Sequence, residues 1–173
     1  MLFCSSQFLV FFLAVFTVYW ALPWNRFRVW LLLGASFYFY ASWNHWLALI
    51  VLFSSTLDYC IARGIERLQS PTGKKLLVAA NVFANLGLLC YFKYVNFFLD
   101  SLQQTLRACG AEVSFPTLSV ILPIGISFYT FEAINYVVDV YRGRVKAERN
   151  LANLLVFILF FPHLIAGPIV RAH

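Results

Sequence analysis

The sequence predicts an all-α, polytopic integral membrane protein: about five spans, an interfacial helix, and a re-entrant or half-helix segment. Composition is the first reason. Of 173 residues, 62% are hydrophobic and 12% charged, with a mean hydropathy of +0.78, whereas a soluble domain carries about 25% charged residues. The second reason is layout. Apolar runs alternate with short segments that hold most of the Lys and Arg, which is the pattern of topogenic charge. Residues 1–173 read as one transmembrane unit.

The first span is expected at Phe3 to Leu22, closed by Pro23 and the basic loop through Arg26 and Arg28. No Lys or Arg precedes it and no small-x-small site closes it, so it reads as a retained span rather than a signal peptide. The second, Val29 to Ala41, is short, about 20 Å. Ser42-Trp43-Asn44-His45-Trp46 reads as an interfacial turn with two Trp anchors. The third span is expected at Leu47 to Ala62, followed by a polar loop from Arg63 to Lys75 with Ser70-Pro71-Thr72-Gly73 as its turn signal. The fourth is expected at Leu76 to Phe92, where Asn81 and Asn85 share a face from which amides bond neighbouring helices. From Val95 to Cys109 an apolar stripe (Val95, Phe98, Leu99, Leu102, Leu106) opposes a polar one (Asp100, Gln103, Gln104, Arg107). That pattern predicts a separate helix lying in the interface and stopping at Gly110.

The stretch Ile121 to Arg142 is the fifth span and the candidate functional element. Pro123 suits a first helical turn, and Gly125 permits close backbone approach. Glu132 and Asp139 are seven residues apart and share a face; Tyr129, Asn135 and Tyr136 join them on an arc of roughly 120°. A carboxylate at the membrane centre costs about 2.5–3.5 kcal/mol on insertion scales. These acids are therefore expected to face protein or a wet cavity, either gluing helices together or lining a path. After a basic loop, Leu151 to Phe161 reaches only about 16 Å, half a hydrocarbon core. Pro162, Gly167 and Pro168 then break the chain, so Phe160 to Arg171 reads as a re-entrant or half-helix element.

Charge sets an orientation. The loops 23–28, 63–75 and 141–150 hold Arg26, Arg28, Arg63, Arg67, Lys74, Lys75, Arg142, Arg144, Lys146 and Arg149, ten of the 13 Lys and Arg. With five spans these loops fall on one side, which places them in the cytoplasm and the N-terminus outside. The net charge of +6 is thereby explained without nucleic acid, which is excluded as a partner. Cys4, Cys60, Cys90 and Cys109 are scattered and make no metal spacing. No metal site, bound cofactor, G-x-S-x-G, P-loop or H-E-x-x-H is read. His45 is a belt or packing residue and His163 stands in the broken segment; neither shows a catalytic setting.

The run LPIGISFYTFEAINYVVDVYRG (122–143), followed by ERNL (148–151) and FFPHLIAGPIVR (160–171), resembles the membrane-bound O-acyltransferase family. It is most similar to the bacterial branch that O-acetylates alginate and related polysaccharides. LLLGASFYFYASW (31–43), LDYCIAR (57–63) and FKYVNFF (92–98) agree more weakly. The resemblance implies a helical enzyme of the bacterial inner membrane with a funnel through a thinned bilayer. It also implies an acyl donor such as acetyl-CoA, partner proteins of polysaccharide O-acetylation, and surrounding membrane lipid. Pro123, Gly125, Tyr129, Glu132, Asp139, Pro162, Gly167, Pro168 and Arg171 carry the family pattern, with an implied role in shaping the funnel. The family's catalytic histidine lies beyond the GPIVR motif, so the sequence reads as the N-terminal part, without catalytic residues of its own. Two other classes fit the residues alone. One is a transporter or channel subunit, since intramembrane acids and broken helices suit ion paths; the other is a non-catalytic membrane scaffold.

Overall fold

The computed structural model describes residues 5–42, 44–109 and 125–162. Among them are six helices: α1 (Ser6–Ala21), α2 (Asn25–Ala41), α3 (His45–Arg67), α4 (Pro71–Ala108), α5 (Ile126–Tyr141) and α6 (Leu151–Leu159). Two of them, α3 and α4, are long and apolar enough to cross a membrane, and α1 is a shorter apolar helix. The all-α class and the membrane composition therefore hold.

Local chemistry sets most helix starts. Ser5 Oγ accepts the Phe8 N–H at 3.2 Å. Asn44 Oδ1 accepts from Trp46 and Leu47 at the head of α3. Ser70 Oγ accepts from Gly73, with Pro71 in the first helical turn. Such side-chain acceptors satisfy amides that the helix itself cannot pair. The Ser70–Gly73 turn signal thus opens α4 instead of sitting mid-loop, and the expected 13-residue loop shrinks to 68–70 because both flanking helices run on. At the other end, α1 stops before Pro23, which disfavours helix for its predecessor. Arg28 locks the α1–α2 hairpin: its guanidinium lies 5.0 Å from the Tyr19 ring centre and its Nε donates to the Leu22 carbonyl at 2.8 Å.

Two expectations are corrected. Span two begins at Asn25, not Val29, so Arg26 and Arg28 lie in its first turn and it reaches about 25 Å. The interfacial helix is not a separate element. Residues 95–108 continue α4 without a break, giving one helix of 38 residues, about 57 Å. No Pro or Gly separates Phe92 from Val95, and the apolar period runs through in register. Phe98 and Leu102 of the predicted stripe are exposed, whereas Phe92, Val95, Leu99 and Leu106 lie on the half-buried side.

The main core gathers α2, α3, α4, α5 and α6 around Val51, Ala62, Ile65, Ala133, Val137 and Ile158. A second, aromatic core joins Phe8, Phe39 and Phe161, with ring centres 5.7–6.1 Å apart. The three-residue turn at 68–70 sends α4 back along α3, and Tyr141 at the end of α5 lies beside Lys75 near the start of α4. The C-terminus of α3, the N-terminus of α4 and the C-terminus of α5 therefore meet at one basic end. Spin labels at Leu76 and Leu106 are expected about 45 Å apart if α4 is continuous; a distance well below 35 Å by pulsed electron resonance would mean the helix bends into the interface.

Candidate functional site

The predicted polar face of α5 is only partly interior. Ile126, Ala133, Val137 and Val140 centre the buried side. At 100° per residue, Tyr129 and Tyr136 lie together to one side of that centre, Glu132 lies further round on the same side, and Asn135 comes out nearly opposite. Burial follows this order: Tyr129, Glu132 and Tyr136 are buried, at 1%, 3% and 4% exposure, whereas Asn135 is exposed. The buried arc of α5 runs from Glu132 round to Thr130, and Asn135 lies beyond its edge. Asp139 occupies the last turn, where its Oδ1 accepts from Arg144 Nη1 at 3.3 Å; that arginine is half exposed. It marks the rim of the bundle, not its centre.

Gly125 heads α5 with φ +71° and no side-chain cap. This left-handed conformation costs L-residues roughly 1–2 kcal/mol, so the position calls for glycine for a backbone reason beyond close approach. Pro123, Gly167, Pro168, Arg171, His163 and His173 lie outside the described residues. Pro162 is the last described residue, three positions after α6 ends at Leu159. Phe161 N–H there donates to Ser36 Oγ at 3.3 Å, with Ser36 fully buried. The nine-residue α6, about 14 Å long, matches the short apolar run expected at 151–161; the re-entrant or half-helix element expected at 160–171 lies almost entirely outside the described residues.

The ERNL run has a structural task. Glu148 Oε1 accepts from the N–H groups of Arg149 and Asn150, both at 2.9 Å. Asn150 Oδ1 then accepts from Ala152 to cap α6. The loop is strapped down twice more: Glu148 N–H donates to Tyr136 Oη at 2.8 Å, and Tyr59 Oη donates to the Arg149 carbonyl at 2.7 Å.

The centre of the site is a residue the sequence reading did not single out. Asp58, mid-way along α3, is 1% exposed. Its Oδ1 accepts from Asn81 Nδ2 at 2.5 Å and from Asn85 Nδ2 at 2.8 Å. The predicted amide pair of α4 thus does bond a neighbouring helix, and its partner is an acid. Tyr40 of α2 and Tyr129 of α5 are buried in the same core. The available signal was simple: an ionisable residue inside an apolar run is a functional-site candidate by default. Asn81 Oδ1, Asn85 Oδ1, Ser55 Oγ, Tyr129 Oη and Thr130 Oγ1 are buried without a hydrogen-bond partner among the described residues. Most buried polar groups in proteins are paired, so the node has capacity for further polar partners. Among the described residues no group of three or more His, Cys, Asp or Glu could hold a metal ion, and His45, the one described histidine, sits exposed at the head of α3.

No protein-family model and no solved structure matches the chain. Curated relatives do. It is 41% identical over 173 residues to a probable alginate O-acetylase of Pseudomonas aeruginosa, covering 99% of this chain and 33% of the relative. To the probable alginate O-acetylase of Pseudomonas putida it is 43% identical, covering 99% and 35%. To a peptidoglycan O-acetyltransferase of Helicobacter pylori it is 33% identical, covering 83% and 31%. The chain spans about a third of the length of these relatives. The resemblance read from residues 122–171 is borne out.

Removing Asp58 takes the acceptor from Asn81 Nδ2 and leaves Asn85 Nδ2 with the Asn81 carbonyl alone, at 3.2 Å. Asp58→Ala is therefore expected to destabilise the protein by about 2–4 kcal/mol, and Asp58→Asn, which keeps an acceptor oxygen, by about half as much. Thermal unfolding in detergent would measure both; equal losses would show that the two amides do not depend on that oxygen.

Proposed function

We propose that this membrane-bound O-acyltransferase-like chain forms part of an enzyme that moves an acetyl group onto hydroxyls of an exported polysaccharide, alginate being the leading candidate. The observation that carries this reading is 41–43% identity to probable alginate O-acetylases over 99% of the chain. The alignment with a peptidoglycan O-acetyltransferase supports the wider class of acetyl transfer to cell-envelope polymers.

The chemistry proposed is attack by an acceptor hydroxyl on the thioester carbonyl: a C–O bond forms as the C–S bond breaks, and a general base takes the hydroxyl proton and returns it to the departing thiolate, which leaves as the thiol. The family resemblance assigns that base to a histidine outside these 173 residues. The acyl donor is an acetyl thioester such as acetyl-CoA, and partner proteins of polysaccharide O-acetylation pass the group on outside. The chain's own contribution is the wall of the path. Tyr129, Glu132 and Tyr136 present polar groups from α5 toward the bundle interior, and the Asp58 node fixes the helix behind them. Asp139 and Asn135 stand at the rim and the outer face and contribute less.

The proposed setting is the bacterial inner membrane, with five spans and the N-terminus outside. The meeting of the α3–α4 turn with the C-terminal end of α5 at one basic end supports that orientation.

The test is the acetyl content of exported polysaccharide in cells carrying variants of the intact protein at matched membrane levels. Glu132→Ala is expected to lower acetylation about tenfold or more, equivalent to at least 1.4 kcal/mol of barrier. Asp139→Ala breaks a half-exposed ion pair worth under about 1 kcal/mol and is expected to cost less than fivefold. Normal acetylation by Glu132→Ala would remove α5 from the path, and unchanged polysaccharide acetylation on deleting the protein would remove the enzymatic reading.

A further inference from the structure

Beside the buried amide face of α4 runs an open apolar groove of about 720 Å³, lined by Lys75, Val82, Phe83, Leu86, Gly87 and Cys90, with Tyr141 of α5 at its mouth. This volume lies in the range of small-molecule sites. We infer that the groove holds one acyl chain of an anionic phospholipid, with the headgroup phosphate at Lys75.

Length, charge and shape support this occupant. From Lys75 to Cys90 is 15 residues, about 22 Å along the helix. One leaflet with its headgroup zone is about 20–22 Å thick. A chain lying in the groove with its phosphate at Lys75 therefore ends near the bilayer midplane, beside Cys90.

The charge of the groove is one-sided. Among the described residues that line it, Lys75 is the single cation and none is a carboxylate. Lys74 precedes Lys75, and Arg142, which follows Tyr141, is exposed. Basic pockets between spanning helices at this depth select anionic headgroups. The acids of this end are engaged elsewhere: Asp139 pairs with Arg144 and Glu66 with Arg63, while Glu148 binds backbone amides. The groove floor is open at Gly87, where an added Cβ would meet nothing within 4 Å, so a chain can lie flat against the helix backbone.

The test uses the intact protein in phosphatidylcholine vesicles doped with phosphatidylglycerol that bears a photoactivatable diazirine in its acyl chain. The control is the same diazirine on phosphatidylcholine at equal mole fraction. Peptide mass spectrometry is expected to map crosslinks to Val82–Cys90, enriched at least about fivefold for phosphatidylglycerol, the selectivity one surface lysine supplies. Lys75→Glu should abolish the enrichment and Lys75→Arg should keep it. Gly87→Phe should block the crosslinks while the protein still inserts. Equal labelling by the two lipids would reduce the groove to ordinary lipid contact, and absence of labelling there would show that protein covers it. Either result overturns the proposal.

Discussion

Asp58 can stand inside an apolar bundle because Asn81 and Asn85 turn their amide N–H groups onto one of its oxygens. A carboxylate at the membrane centre costs about 2.5–3.5 kcal/mol, and hydrogen bonds to a charged group return about 1.5–3 kcal/mol each. Two such bonds therefore offset the penalty, while one would leave it open. The geometry also fixes register. The amides are one turn apart on α4 and converge on a single acceptor of α3. Sliding α4 by one residue would shift them by 1.5 Å and turn them by 100°, breaking both bonds. The long helix is in this way pinned to its neighbour near its first third.

The second constraint lies where the chain leaves α5 and enters α6. A helix of nine residues cannot hide its own ends, because its first amides and last carbonyls lack internal partners. At the N-terminal end Asn150 Oδ1 accepts the Ala152 amide, and Glu148 takes the two amides just ahead of the helix. Tyrosines from α3 and α5 tie down the loop, and Ser36 of α2 accepts the amide of Phe161, two residues past the C-terminal end. Irregular backbone at membrane depth is tolerated when protein satisfies it, and Ser36 does so from the adjacent helix. The aromatic cluster of Phe8, Phe39 and Phe161 closes over this junction. A short element of this kind thus becomes a rigid part of the wall instead of a frayed end.

How much was legible differs from residue to residue. The amide pair Asn81 and Asn85 announced a helix contact, because two amides at i, i+4 in an apolar run have few other uses. Their partner was overlooked because span three was expected to end at Ala62, which put Asp58 near a terminus. The helix continues to Arg67 and leaves Asp58 more than two turns inside. The change of texture at Val95 looked like a new element, yet polarity alone does not interrupt a helix when no Pro or Gly intervenes. Asn135 was grouped with Glu132 on a shared arc, but the apolar face of α5 is centred almost opposite Asn135.

Composition and local order by themselves determined the membrane class, the helical architecture and the ends set by Asn150 and Pro23, while the motif runs from 122 onward carried the resemblance to probable alginate O-acetylases. Those are properties of neighbours in sequence and of totals along the chain. The tertiary structure alone decided which acid is central and which is peripheral. A helical wheel states which side chains point the same way, but it is silent on what stands opposite them. Glu132 and Asp139 share a side of one helix and still meet different surroundings, because neighbouring helices cover the first while the loop through Arg144 reaches the second.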